Sequence, residues 1–432
     1  MNAQVTARIL EDYAGFARTL PAAPASPAAG TRRRAAIEAL TAVGLPTSRD
    51  ENWKYANLRP LERARFVPVD CAEPHAPPDL PPPLAGTARC VFVDGLLVPE
   101  ASRAPLAGTA QLTTLDDSAA AVPLRTPRGD GRLALLNQAF APDGLAIRVP
   151  AGSGEPLELE LLFVASAEGQ SGASYPSVRV RLEPGAHLVL IERHLSAAAA
   201  ASFVSCAVTV DLAHGALLEH YRLQELNTRS VLFDTLSANV AEAARYRLHG
   251  VSTGAQSARS TLAVRLGGER AELTLACAAL GERQQVQDTY ALVEHAAANA
   301  RTEQIFRGIA AGRARVAFNG KILVASSARG TDSRQSLRGL LAGPEAEIDV
   351  RPQLEIYTDE VRCSHGATAG KLDEDMLFYL LSRGLDRDSA QRLLKWAFLE
   401  DVIAKIARPA LRRQIEERLA GALRDATLRE LL

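Results

Sequence analysis

Cysteine is scarce. The five residues Cys71, Cys90, Cys206, Cys277 and Cys363 are scattered over 432 positions, and none forms a Cys-x-x-Cys pair. This excludes a disulfide framework and a self-contained four-cysteine cluster site. It fits a reducing cytoplasm. Aromatic residues make up 5% of the chain, too few for a groove that stacks single strands or sugars. The net charge of −1 leaves no basic field to draw nucleic acid. No long apolar run occurs, so no membrane span is expected. The first twenty residues carry Glu11 and Asp12 and read as an amphipathic helix, not a signal peptide. His-Glu-x2-His, Gly-x4-Gly-Lys-Ser/Thr and Gly-x-Ser-x-Gly are all missing. The chain therefore brings no zinc-protease site, no nucleotide loop and no hydrolase elbow of its own.

What is present is a change of period along the chain. Residues 1–85 read as helical with proline-rich connections. Trp53 and Tyr55 are expected to pack, and Pro21–Gly30 and Glu73–Pro83 break regular structure. Residues 86–144 hold a hairpin marked by Asp94-Gly95 and a short helix over Arg132–Phe140. From Leu145 to about Gly366 the pattern has period 2, as in Val178-Arg179-Val180-Arg181-Leu182 and Leu157-Glu158-Leu159-Glu160-Leu161. Such runs are half-buried strands. Glycines at 185, 215, 250, 267, 268, 281 and 312 read as turns between them. Asn319-Gly320 reads as a further turn. Leu182–Leu188 resembles Leu212–Leu218, 30 residues on, a spacing typical of solenoid coils. A closed sandwich or barrel remains the alternative. Residues 367–432 return to helical spacing, with Gly384 as a stop, Asp386 as a cap and an apolar stripe through Ala390, Leu393, Leu394, Ala397, Phe398 and Val402.

Chemistry concentrates in Leu354–Gly384. In an extended Val361–His365, Val361, Cys363 and His365 share one face. The thiol and imidazole would stand about 6.6 Å apart along the strand. Both are soft or borderline metal donors. Asp359, Glu360 and Asp373 flank them, and Gly366 lets a backbone or ligand come close. The plainer reading is a packed cysteine and a satisfied histidine.

This stretch resembles the C-terminal signature of the SufD family of the Suf iron–sulfur cluster assembly machinery. The likeness rests on Gly320-Lys321-Ile322, Gln335, Leu340-Leu341, Pro352, Leu354-Glu355-Ile356, Cys363–Thr368, Gly370, Leu377–Leu380 and Ser382-Arg383-Gly384. Leu135–Gly152 and Glu51–Tyr55 add to it. The resemblance implies a mainly β chain, with a right-handed parallel β-helix between helical domains. It implies a cytoplasmic, non-catalytic scaffold subunit in a complex with the paralogue SufB and the ABC-type ATPase SufC. His365 and Cys363 would lie at the SufB interface, supported by Asp359, Glu360 and Gly366. SufC would dock on the C-terminal helices near Leu393, Leu394, Ala397, Phe398 and Val402. Iron or a nascent cluster would be held in the complex and not stably by the chain alone. A flavin bound by the complex and a homodimer of the isolated chain complete the expectation. The competing classes are the SufB paralogue, a β-helix carbohydrate-active enzyme and a Cys–His hydrolase. The last two lack clustered carboxylates with aromatic platforms and a third orienting residue.

Overall fold

Alternating apolar side chains dictate half-buried strands, and the strands here stack in parallel. The computed structural model describes residues 3–19, 27–70, 79–84, 88–103, 110–115, 130–142, 144–152, 156–166 and 171–423. Most of both proline-rich connections, with Cys71, His75 and Asp143, lies outside these ranges.

Each coil gives one strand to each of two sheets. The first sheet runs through Leu145–Val149, Ser177–Leu182, Ala207–Leu212, Val231–Val240, Ser257–Leu266, Val286–His295, Arg315–Val324 and Glu347–Ile356. The second runs through Leu157–Ala165, His187–Ser196, Leu217–Glu225, Arg245–Ser252, Glu272–Gly281, Arg301–Ala311, Thr331–Ala342 and Val361–Lys371. Neighbours pair in parallel and in register: Leu188 with Leu218, Leu218 with Tyr246, and Tyr246 with Leu273. The fold is a parallel β-solenoid. The likeness between Leu182–Leu188 and Leu212–Leu218 is that of stacked coils, since Leu182 pairs with Leu212.

Alternation sends one set of side chains into the lumen. Val178, Val180 and Leu182 are buried there, and Arg179 and Arg181 point out. One corner of the coil is held by a left-handed residue. Gly185, Gly215, Ala243, Arg270, Asn299 and Gly330 have φ between 55° and 71°. Each donates its N–H to the next coil, as Gly215 does to the Glu242 carbonyl at 3.0 Å and Ala243 to Glu269 at 2.9 Å. The ladder thus continues round the bend. Two turns expected from sequence are absent. Gly250 lies inside Arg245–Ser252, facing Cys277, and Asn319-Gly320 lies inside Arg315–Val324. In both places a lumen-facing glycine leaves room for a larger neighbour.

Helices cover the outer faces. α1 (Ala3–Thr19), α2 (Pro27–Val43), α3 (Arg59–Arg63) and α4 (Arg132–Phe140) gather on the first sheet's side, where Phe16, Leu40, Leu136 and Phe140 meet Phe203 and Phe233. Trp53 is fully buried at this junction, and its indole N–H donates to Asp130 at 2.6 Å. The Arg259 guanidinium lies 4.6 Å from the Trp53 ring, donates to the Asn52 carbonyl at 2.7 Å and pairs with Asp288. The Glu51–Tyr55 run is therefore a plug that docks the N-terminal region. α5 (Glu374–Ser382), α6 (Arg387–Ile403) and α7 (Pro409–Ala422) come after the last strand. Leu399, Val402, Ile403, Ile406, Leu411 and Ile415 pack on Val189, Tyr221, Val251, Ala276, Ile305 and Leu340 of the second sheet.

The expected boundaries shift at both ends. Ala88–Val93 turns at Asp94-Gly95 into Leu96–Leu97, and the same strand pairs in parallel with Leu157–Ala165. Part of the lead-in region thus already belongs to the stack. The last strand runs to Lys371, past the boundary at 366, because its pairing with Thr331–Ala342 continues that far.

The corners make a test. A Cβ at Gly215 meets nothing within 4 Å, so Gly215→Ala should cost only the left-handed penalty of about 1 kcal/mol. A Cβ at Gly268 would lie 1.9 Å from the Glu242 nitrogen, so Gly268→Ala should cost about 3 kcal/mol or more. Urea midpoints of the two variants should fall in that order, and equal losses would contradict it.

Candidate functional site at the open end

Among the described residues the stack ends without a cap. Val361–Lys371 pairs along one edge with Thr331–Ala342, and among the described residues no strand pairs with its other edge. Glu347–Ile356 ends the first sheet in the same way. A long free edge presents unpaired N–H and C=O groups, and proteins usually blunt it with charge or proline. Here Arg362 and Lys371 stand near the ends, and Cys363–Gly370 between them is uncharged and made of small residues apart from His365. A second strand can approach this edge closely.

Alternation places Val361, Cys363 and His365 on the lumen-facing side, in register with Thr331, Ser333 and Gln335. Those three partners are buried, whereas Cys363 is half-buried and His365 exposed. The last coil has no coil above it to cover them. Burial and the nearby Asp332 carboxylate push the Cys363 thiol up, so it stays protonated. Beneath His365 lies a buried amide stack. Gln335 donates to the Gln304 side-chain oxygen at 2.9 Å and to the Gly320 carbonyl at 3.1 Å. Its own side-chain oxygen has no partner. A Cβ at Gly320 would come within 3.0 Å of both glutamines, so the glycine makes room for this stack.

The supporting residues sit elsewhere. Asp359 and Glu360 form the bend before the strand, where the Glu360 carbonyl accepts from Gly330 at 2.7 Å. Their side chains line a shallow groove with Asn299, Arg301, Asp332 and Arg362 and do not share the lumen face. Asp373 caps α5, accepting from the Asp375 and Met376 N–H groups. Gly366 has open space where a Cβ would be. On the C-terminal helices Leu393, Leu394 and Phe398 are half-buried and Ala397 is exposed. Val402 is 1% exposed and belongs to the chain's own core, so it supports the helix and presents no surface. Helical spacing marked α5 but not its outward apolar face, where Met376, Phe378 and Tyr379 are 58%, 73% and 56% exposed. Their period-1 run hid the outward face.

The histidines show why His365 stands apart. His194, His220, His249 and His295 are buried. His187 pairs with Glu219 at 2.9 Å, and His214 sits at an exposed corner 3.9 Å from Glu242. Among the described residues only His365 combines exposure with a place on the free edge.

Among the described residues the molecule is a parallel solenoid whose uncapped end coil carries a thiol and an imidazole. The family described as SUF system FeS cluster assembly, SufBD core domain, matches residues 163–398. The iron-sulfur cluster assembly protein SufD of Escherichia coli is 31% identical over 392 residues, 90% of this chain and 91% of that protein. A SufBD family protein of Synechocystis is 28% identical over 404 residues, 89% of each chain. A chloroplastic protein of Arabidopsis thaliana, ABCI7, is 27% identical over 295 residues, 67% of this chain and 62% of that one. The chain belongs to the SufBD family and is of the SufD type. No described helix is long and apolar enough to cross a membrane.

Two of the buried histidines set a pH dependence. His249 is buried beside Lys405, just past α6, and the His295 ring meets only the hydroxyls of Thr302 and Thr331, the latter already donating to the Ala328 carbonyl. Burial lowers each to about 4, against about 6.5 in the unfolded chain. The unfolded chain therefore binds protons that the fold refuses between those values. This stability is complete above about pH 6.5 and is lost as pH falls toward 4, by up to roughly 3 kcal/mol per histidine. Urea midpoints should drop steeply over that window, and His249→Phe should flatten the drop. A flat wild-type profile would refute the assignment.

Proposed function

We propose that this chain is a non-catalytic assembly subunit of the Suf iron–sulfur cluster machinery and that its open coil is the docking edge for the paralogous solenoid SufB. The observation that carries this is the free edge of Val361–Lys371, uncharged from Cys363 to Gly370, with Cys363 and exposed His365 upon it. A partner built on the same coil would extend both sheets by strand addition. Iron–sulfur clusters take about four protein ligands, and this edge offers two. Iron or the nascent cluster is cargo shared across the junction, with the remaining donors supplied by SufB. In the absence of SufB, a second copy can occupy the same edge. A cytoplasmic complex suits the unpaired thiols.

The ATPase SufC is assigned to the C-terminal helices, on the face of α5 and the outer side of α6. Removing residues 385–432 is a poor test, because Leu399, Ile403, Leu411 and Ile415 cover the second sheet. Phe378→Asp touches only surface and should change stability by less than about 0.5 kcal/mol. It should weaken SufC binding by about 2 kcal/mol, roughly thirtyfold, as loss of an aromatic anchor does. Calorimetric titration of SufC into the variant checks this, and unchanged affinity moves the docking face elsewhere.

For the edge itself, His365→Ala should leave folding and complex assembly intact. It should lower iron and sulfide in the reconstituted complex by about tenfold. Cys363→Ala should cost less, since that side chain is half-packed. Normal loading by the His365→Ala complex would reduce the pair to packing residues.

A further inference from the structure

Six strands back from the open end in the second sheet, the lumen turns polar. Glu192 and His194 point inward from His187–Ser196, and Cys206 points inward just before the facing strand Ala207–Leu212. A carboxylate oxygen, a ring nitrogen and the sulfur of these three lie within 4.8 Å of one another, all buried. His194 Nε2 is 2.6 Å from Glu192 Oε1, and His220 Nε2 is 3.1 Å from Glu192 Oε2. Arg222 lies 2.7 Å from Glu192 and 2.8 Å from Asp234.

Glu192 and Asp234 share the Arg222 guanidinium, and His220 bridges Glu192 and the Tyr246 hydroxyl. A buried ring nitrogen needs a partner as well. His194 Nδ1 has none, although the residue is 2% exposed. A bare buried nitrogen beside a thiol and a carboxylate is instead a ligand set. His194, Arg222 and Asp234 also border a cavity of about 60 Å³, room enough for a bound water.

We propose that Glu192, His194 and Cys206 bind one divalent ion of borderline softness, zinc or ferrous iron, with a water from the adjoining cavity as fourth ligand. Mixed sulfur, nitrogen and oxygen donors suit these metals. Binding releases the Cys206 proton to solvent. The thiolate, Glu192 and Asp234 then carry three negative charges, matched by the ion and Arg222. This site is internal to the chain and independent of any shared edge.

The full chain, produced in zinc-supplemented medium and dialysed against EDTA, should retain close to one zinc by elemental analysis. Cys206→Ala and His194→Gln should retain almost none, while the Cys363→Ala/His365→Ala double variant should retain as much as wild type. Refolding wild type with cobalt should give a sulfur-to-cobalt near-ultraviolet band. That spectrum decides the matter even where a lumen variant fails to fold. No retained zinc together with no such band would overturn the proposal. Equal retention by the folded Cys206→Ala and wild-type chains would overturn it as well.

Discussion

Everything in this molecule depends on an in-register parallel ladder that cannot close on itself. Each coil is stable because the coil below satisfies its backbone and the coil above covers its lumen side chains. The corner of left-handed residues carries the ladder from one sheet to the other, so the stack has no lateral break. A ladder of this kind has two ends. At the first, short antiparallel strands blunt the edges: Leu96–Leu97 against Ala88–Val93, and Gln111–Thr114 against Leu145–Val149. At the second, nothing in the described chain does so. The candidate site is where the repeating structure stops.

Much of the fold could be read from residue order. Period 2 marked the strands because one face of each strand meets a single continuous lumen. The weak repeat at Leu182 and Leu212 was visible because both corners happen to use glycine. Farther along, Ala243, Arg270 and Asn299 hold the same corner without glycine, so the repeat fades in sequence while persisting in space. Gly250 and Gly320 misled for the opposite reason. They are small because a neighbour's side chain fills their place, and no local signal separates that from a turn.

The candidate site was legible only in part. Alternation correctly put Cys363 and His365 on one face. It could not show that this face looks outward from an uncapped coil, because exposure depends on the neighbouring coil in space, not on the neighbouring residue in the chain. Asp359 and Glu360, adjacent in the chain, belong to the corner groove instead. Val402 lay at the right helical spacing for docking, but the same spacing describes the buried side of α6. The Glu192–His194–Cys206 group escaped notice because its members come from two strands in facing sheets.

The way α6 and α7 lie across the second sheet has a mechanical consequence. Val189, Tyr221, Val251, Ala276, Ile305 and Leu340 come from six successive strands, and one hydrophobic cluster joins them to these helices. The helices act as a splint bonded along the length of the stack, not as a flap hinged at its tip. A pull applied to α6 is distributed over six rungs as shear. α5, joined to α6 through Gly384 with its φ of 93°, packs on α6 and buries Leu377, so a load taken up on its outer face passes into the splint.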